Sequence, residues 1–308
     1  MIESSIVKAE ALSLGFFSSG ISRAQRVNEE MERKHLEWLR RGCYAGMEYL
    51  NNNTEKRLDP RLLVPGVKSI VSVALNYAAS NSFDESELKL ASYALGRDYH
   101  DVVKAKLHQL AAALGLTEYR VFCDSAPVLE RYWAEQSGLG WIGRNQQLII
   151  PHAGSHFFLG ELFVMEEVDE YDSPMPNRCG ICRKCVEACP MNALSDEYFD
   201  AGKCLSYQTI ENRGELSDEA KRHIGKTFYG CDRCQDACPW NRFAVATDVE
   251  EFAPSAELMS MKSEDWARLT IEDYRRLFKG SAVKRAKYEG LMRNIAASLN
   301  LKGTETAD

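Results

Sequence analysis

The sequence predicts an α+β protein in three consecutive parts: an α/β domain, a small cysteine-rich module and a helical C-terminal segment. Three observations support this. Helix-like and strand-like stretches alternate over the first 165 or so residues. Eight of the ten cysteines lie between 179 and 238. Residues 246–308 read as helix. The expected boundaries are 1–168, 169–245 and 246–308.

Residues 1–60 read as helical. Val27, Met31, Trp38 and Leu39 recur at roughly helical spacing within Ala24–Leu50, with charged residues between them. Ser69-Ile-Val-Ser-Val-Ala-Leu-Asn-Tyr77 is an apolar, β-rich run and predicts a buried strand. Val102–Leu114 predicts an amphipathic helix. Tyr119–Cys123, Gln147–Ile150 and Phe157–Val164 predict three more strands. Acidic residues 166–172, followed by Ser-Pro-Met-Pro, predict a linker.

Composition limits the function. With 308 residues, 45% hydrophobic and 27% charged, the chain can bury more than one core. No apolar run approaches the ~20 residues of a membrane helix. The N-terminus shows neither a basic, then apolar leader nor a twin arginine, so a cytoplasmic location is expected. A net charge of −7 argues against bulk nucleic-acid binding, although a local patch can override a global sum.

The cysteine spacing is specific. Cys179-x2-Cys182-x2-Cys185-x3-Cys189-Pro190 is the run of bacterial [4Fe–4S] ferredoxins, in which the cysteine before proline serves the other cluster. The second run, Cys231-x2-Cys234-x3-Cys238-Pro239, lacks its leading cysteine, because that position is Phe228. Cys204 is the candidate replacement. Counting then assigns Cys179, Cys182, Cys185 and Cys238 to one cluster, and Cys231, Cys234, Cys204 and Cys189 to the other. Zinc would use cysteine pairs and leave both Cys-Pro endings unexplained. Disulfides do not suit a reducing compartment.

Other segments stay open on spacing alone. No GxGxxG follows a strand and no Walker loop is present. Asp124, after a strand, suits either a helix N-cap with Pro127 behind it or a catalytic carboxylate. Gly138-Leu-Gly-Trp-Ile-Gly-Arg-Asn145 suits a turn or a loop that lets backbone approach a flat ligand. Asp98-Tyr-His100 begins like the Asp-x-His-x-x-Gly corrinoid motif but has Val103 where glycine should be, so no histidine ligand to cobalt is expected. Arg275–Arg293 holds seven basic residues, opposed in sequence only by Glu289. They suit a solvated helix face or phosphate contacts, with Gly280-Ser281 offering backbone donors.

Taken together, Lys56-Arg-Leu-Asp-Pro60, Gly96-Arg-Asp-Tyr-His100, Asp124-Ser-Ala-Pro-Val-Leu-Glu-Arg131, Gly138–Asn145, the eight cysteines, Thr209-Ile-Glu-Asn-Arg213 and Gly280-Ser-Ala-Val-Lys-Arg285 resemble the epoxyqueuosine reductases. The resemblance covers nearly the whole chain. It implies a nitroreductase-like corrinoid-binding domain, followed by a bacterial-ferredoxin-like domain with two [4Fe–4S] clusters. It also implies base-off cobalamin without a protein histidine on cobalt, and reduction of epoxyqueuosine to queuosine at the wobble position of tRNAs with a GUN anticodon (Tyr, His, Asn, Asp). Asp124 is the expected general acid, which needs a raised pKa that burial could supply. Arg57, Tyr99, His100, Asp124, Trp141, Arg144 and Asn145 are expected corrinoid contacts, with Ser206 and Asp232, which lie beside cluster cysteines, as further candidates. Lys279, Ser281, Lys284, Arg285, Lys287 and Arg293 become the expected tRNA surface. A monomer fed by an electron donor such as flavodoxin or ferredoxin is expected. The rival readings are a corrinoid reductive dehalogenase, which usually carries a twin-arginine signal, and a ferredoxin-type electron carrier without catalysis.

Overall fold

The computed structural model describes residues 1–79 and 83–300, apart from the Asn300 side chain. The C-terminal segment expected at 246–308 therefore lies partly outside the described residues. No helix of the described residues is long and apolar enough to cross a membrane.

Helix α1 (Ser4–Ser13) leads to strand β1 (Ser18–Arg23). Helix α2 (Glu29–Arg40) and the short α3 (Thr54–Leu58) and α4 (Pro60–Leu63) precede β2 (Ser69–Asn76). The short β3 (Lys89–Leu90) follows, then α5 (Tyr99–Ala113), β4 (Tyr119–Phe122), α6 (Glu130–Gln136), β5 (Trp141–Ile142), β6 (Leu148–Ile149) and β7 (Phe157–Val164). Strands β1, β2, β7 and β4 form one sheet in that order, with every pairing antiparallel. The expectation of an all-helical start to the chain is thus corrected by β1. Its sequence, Ser-Ser-Gly-Ile-Ser-Arg, is too polar to announce a strand, and its order comes from pairing along the whole of β1 with β2.

Helices cover both faces of this sheet. Val71, Val73, Leu75, Leu162 and Val164 face α1 and α5. Ile70 and Phe163 face the other way, toward Leu58 and the α6 residues Tyr132 and Trp133. Burial on both faces explains why β2 reads as an unbroken apolar run rather than an alternating one. Gly160 lets α5 lie close: a Cβ there would meet Val103 at 2.5 Å. This contact fixes the helix whose first turn holds Tyr99 and His100.

The cysteine module contains α7 (Lys184–Glu187), α8 (Leu205–Ile210), α9 (Asp218–His223), β8 (Thr227–Tyr229) and α10 (Arg233–Asp236). The tail adds α11 (Ala256–Ser260), α12 (Ser263–Ala267), α13 (Ile271–Leu277) and α14 (Lys287–Asn300). The cores cross the boundaries drawn from sequence. β3 pairs in parallel with β8. Leu88, Leu90, Ala94 and Leu95 share a core with Phe228, Trp266, Phe278 and Leu291. Val249 and Phe252 join the core under the sheet. The stretch expected as a linker is also tied down: Asp172 accepts from Ile21 N at 2.8 Å and pairs with Lys8 at 2.7 Å.

Candidate active site

Gly96-Arg-Asp-Tyr-His100 is placed by three backbone constraints. Arg97 N donates to Glu251 O and Asp98 N to Gly280 O, each at 2.7 Å. A Cβ on Gly96 would come within 2.4 Å of Glu251 O, so this approach requires glycine. Asp98 then caps α5, its Oδ1 accepting from His100 N at 3.1 Å. The same oxygen stands 2.6 Å from His100 Nδ1, and His100 Nε2 stands 3.8 Å from Asp124 Oδ2. The Tyr99 hydroxyl donates to that Asp124 oxygen. Its ring stacks flat on Phe158, 4.3 Å between centroids. Burial, then the neighbouring Asp124 carboxylate, holds the Tyr99 phenol far above its usual range and so protonated.

Asp124 is not a helix cap. Helix α6 starts six residues later, after Leu129. Asp124 instead adopts a left-handed backbone, φ 53°. Its amide donates to Glu130 Oε1 at 2.6 Å. The expected burial is not supplied by the protein alone, because the Asp124 side chain is 63% exposed. Burial falls on Glu130, whose carboxyl is pushed up to about 8 by desolvation and then by Asp124. Burial also pulls Arg57 down from its usual value, while Glu130 opposes that shift.

The expected corrinoid contacts divide into two groups. Arg57 Nε, Trp141 Nε1 and Asn145 Nδ2 are buried donors without a partner among the described residues. Such atoms are costly unless something accepts from them, and the amides and phosphate of a corrinoid would do so. These unpartnered donors fit the group. Arg144 and Asp232 are committed elsewhere. Arg144 Nη1 donates to Gly180 O and Cys182 O at 2.7 and 2.8 Å. Asp232 Oδ2 accepts from Ser92 N and Oγ. Both side chains brace cysteine loops. Ser206 contributes its amide, which points at Cys204 sulfur.

The structure brings the eight module cysteines together in two sets. After burial, Cys238 is raised by Cys179 and Cys182, and Cys185 by Cys238 and Cys179. Cys234 is raised by burial, then by Cys231, Cys204 and Cys189, and last by Cys185 of the other set. Burial pushes Cys231 up to about 11. Backbone amides face the sulfurs, as Ala193 N does toward Cys189 Sγ at 3.4 Å. Among the described residues no three His, Cys, Asp or Glu side chains converge tightly enough for a single metal ion. Four thiolates on one zinc would stand only ~3.8 Å apart, given a Zn–S bond of about 2.3 Å. The Cys-x2-Cys-x2-Cys and x3-Cys-Pro spacings suit iron–sulfur clusters. Cys43 and Cys123 are buried and belong to neither set.

In the basic tail, three of the expected residues also make internal contacts. The Arg293 guanidinium is spent on carbonyls, donating to Asn212 O at 3.0 Å and Gln208 O at 2.9 Å. Arg285 is paired with Glu211 at 2.7 and 2.8 Å. Ser281 is buried, and its hydroxyl caps Val283 N rather than facing solvent. Of the Gly280 and Ser281 amides expected to hold phosphate, Ser281 N donates to Phe278 O at 3.2 Å. Lys279, Lys284 and Lys287 are exposed.

Sequence reasoning gave no role to Tyr49, Tyr93 or Glu130. Tyr49 O accepts from Arg57 Nη2 at 3.3 Å, and Arg285 lies over the Tyr49 ring at 5.5 Å. Tyr93 packs edge-on to Tyr99. Only Glu130 carried a signal, as the one acid that closes the Asp124 segment.

Comparison with known proteins agrees along the chain. The family described as "Epoxyqueuosine reductase QueG, DUF1730" matches residues 57–125, and "4Fe-4S double cluster binding domain" matches residues 178–241. An epoxyqueuosine reductase of Cellulophaga algicola is 43% identical over 95% of this chain and 96% of its own. A crystal structure of epoxyqueuosine reductase with an epoxyqueuosine-modified tRNA-Tyr stem loop superposes with a TM-score of 0.87. It is 27% identical over 96% of this chain and 80% of that one. A Bacillus subtilis epoxyqueuosine reductase, described with its catalytic aspartate loop swung out of the active site, gives a TM-score of 0.85 at 27% identity, with the same coverage.

Proposed function

The chain belongs to the epoxyqueuosine reductase family, and from that premise we propose that it reduces epoxyqueuosine to queuosine at the wobble position of tRNA. The observation that carries this reading is the Asp98–His100–Asp124–Tyr99 cluster, in one fold with two sets of four thiols. The reaction takes two electrons and two protons, converts the epoxide to an alkene and releases its oxygen as water. When bound, cobalamin supplies a cobalt centre that takes up single electrons from the [4Fe–4S] clusters and acts on carbon.

The protein's own residues manage binding and protons. Asp124 protonates the epoxide oxygen as its carbon–oxygen bond breaks. Tyr99 holds the Asp124 carboxyl in place. His100, fixed through Nδ1 by Asp98, returns a proton to Asp124 through Nε2. Arg57, Trp141 and Asn145 hold the corrinoid through their unpartnered donors. Cys179, Cys182, Cys185 and Cys238 hold one cluster, and Cys189, Cys204, Cys231 and Cys234 the other. Arg144 and Asp232 support these loops.

Residues 1–168 act as the nitroreductase-like corrinoid domain, 169–245 as the ferredoxin-like domain and 246–308 as a helical segment beside the tRNA. Lys279, Lys284 and Lys287 contact phosphates of the anticodon arm, while Ser281, Arg285 and Arg293 hold the surface in shape. The substrates are GUN tRNAs, met in the cytoplasm by a monomer that draws electrons from flavodoxin or ferredoxin. The test is anaerobic reconstitution with iron, sulfide and cobalamin, followed by an epoxyqueuosine stem loop and a reductant. Nucleoside mass spectrometry should show loss of one oxygen, dependent on cobalamin. No conversion by the fully loaded protein would overturn the proposal.

A further inference from the structure

We propose that Glu130 is a positioning residue: it latches the Asp124 turn through the main chain and so leaves the Asp124 carboxylate free to work. The inference rests on the reading of Asp124 as the proton donor.

β4 ends at Phe122 and Cys123 is fully buried. The next residue turns left-handed, a state aspartate visits more readily than most side chains but does not hold by itself. Three contacts hold it. The Tyr99 hydroxyl grips the Asp124 carboxylate, Lys104 Nζ reaches Ser125 Oγ at 2.6 Å, and Glu130 Oε1 takes the Asp124 amide at 2.6 Å. The first two act on side chains and come from α5. The Tyr99 contact must change whenever Asp124 gains or loses its proton.

The Glu130 contact is different in kind. It comes from the far end of the same loop, at the first residue of α6, and closes that loop on itself. Its hydrogen bond is to the backbone amide rather than to the carboxylate, although the charge of Asp124 also bears on Glu130. The site also supports a carboxyl where burial and Asp124 both disfavour its charge. That cost marks a placed group rather than an incidental one. The Bacillus subtilis relative, described with its catalytic aspartate loop swung out, indicates that this turn has a second position in the family. Latches decide how such a two-position element divides its time.

The experiment compares wild-type, Glu130→Ala and Glu130→Gln in the cluster- and cobalamin-loaded protein. Hydrogen exchange is followed at residues 123–126 and iodoacetamide alkylation at Cys123. Turnover is measured on the epoxyqueuosine stem loop. Glu130→Ala should exchange at least tenfold faster at the Asp124 amide and alkylate Cys123 faster, with α5 and β7 unchanged. Its kcat should fall with KM held. Glu130→Gln keeps an acceptor oxygen and should restore both protection and kcat. Wild-type protection in Glu130→Ala overturns the latch whatever the turnover. Loss of protection with full turnover overturns the positioning role, as does failure of Glu130→Gln to rescue. A wild-type protein that never converts the stem loop fails the proposed reaction while the exchange result still decides the latch.

Discussion

His100 stands between two carboxylates, with Nδ1 2.6 Å from Asp98 Oδ1 and Nε2 3.8 Å from Asp124 Oδ2. Asp98 therefore sets which imidazole nitrogen carries the structural hydrogen, and which one faces the proton donor. Asp98→Asn keeps the cap on α5 but weakens that preference. Single-turnover rates should fall about 10- to 100-fold, as for other residues that orient a reactive partner. Cluster and cobalamin content should stay unchanged. Rates within twofold of wild-type would remove the relay.

Cys204 is expected to ligate the cluster that Phe228 does not serve. Cys204→Ala should hold about four iron atoms per chain, where the wild-type holds about eight. Phe228→Leu should keep all of them, because Phe228 fills the core against Trp266. A full iron complement in Cys204→Ala would refute the assignment.

The tail should divide into binding and structural cations. Reversing Lys279, Lys284 and Lys287 to glutamate should weaken stem-loop binding and lower its salt slope by roughly 0.7–0.9 for each phosphate no longer neutralised. Arg293→Ala should instead destabilise the fold by about 1–3 kcal/mol, because it strips donors from carbonyls of the 208–214 segment. Equal effects of both changes on tRNA affinity alone would contradict the division.

Glu161 predicts a pH dependence of stability. It is fully buried, and Ser72 Oγ donates to its Oε2 at 2.6 Å. Burial holds its carboxyl well above the usual range, against the Ser72 bond. Below about pH 4.3 the folded and unfolded chains are both protonated and nothing is lost. As pH rises, the unfolded chain ionises first, so stability falls by about 1.4 kcal/mol per unit until the folded carboxyl ionises too. Glu161→Gln lacks this loss. The stability gap between the Glu161→Gln variant and wild-type protein, from urea midpoints, should widen in favour of the variant from pH 6 to pH 8. A constant gap would show that Glu161 is not held protonated.

How much of this was legible depends on where each partner lies in the chain. The cysteine module was legible because cluster loops use short, fixed spacings. β2 and β7 were legible because both their faces are buried. β1 was hidden because its order comes from its neighbour rather than from its own side chains. The tail misled for a similar reason. Glu211 lies 74 residues from Arg285, and Glu257 lies 19 from Arg276, so a local charge count misses both. The cap reading of Asp124 failed because a left-handed turn, which no pattern of apolar residues signals, delays α6. The segment around residue 90 read as part of the first domain, yet its pairing with β8 draws it into the C-terminal core.

The measurement that tests the account most directly is nucleoside mass spectrometry on an epoxyqueuosine stem loop, after anaerobic reaction with loaded wild-type protein and with Asp124→Asn. Wild-type protein should convert epoxyqueuosine to queuosine. Asp124→Asn should retain its iron and cobalt yet lose about 10²–10⁴-fold in rate, the usual contribution of a general acid. Full turnover by Asp124→Asn would contradict the account.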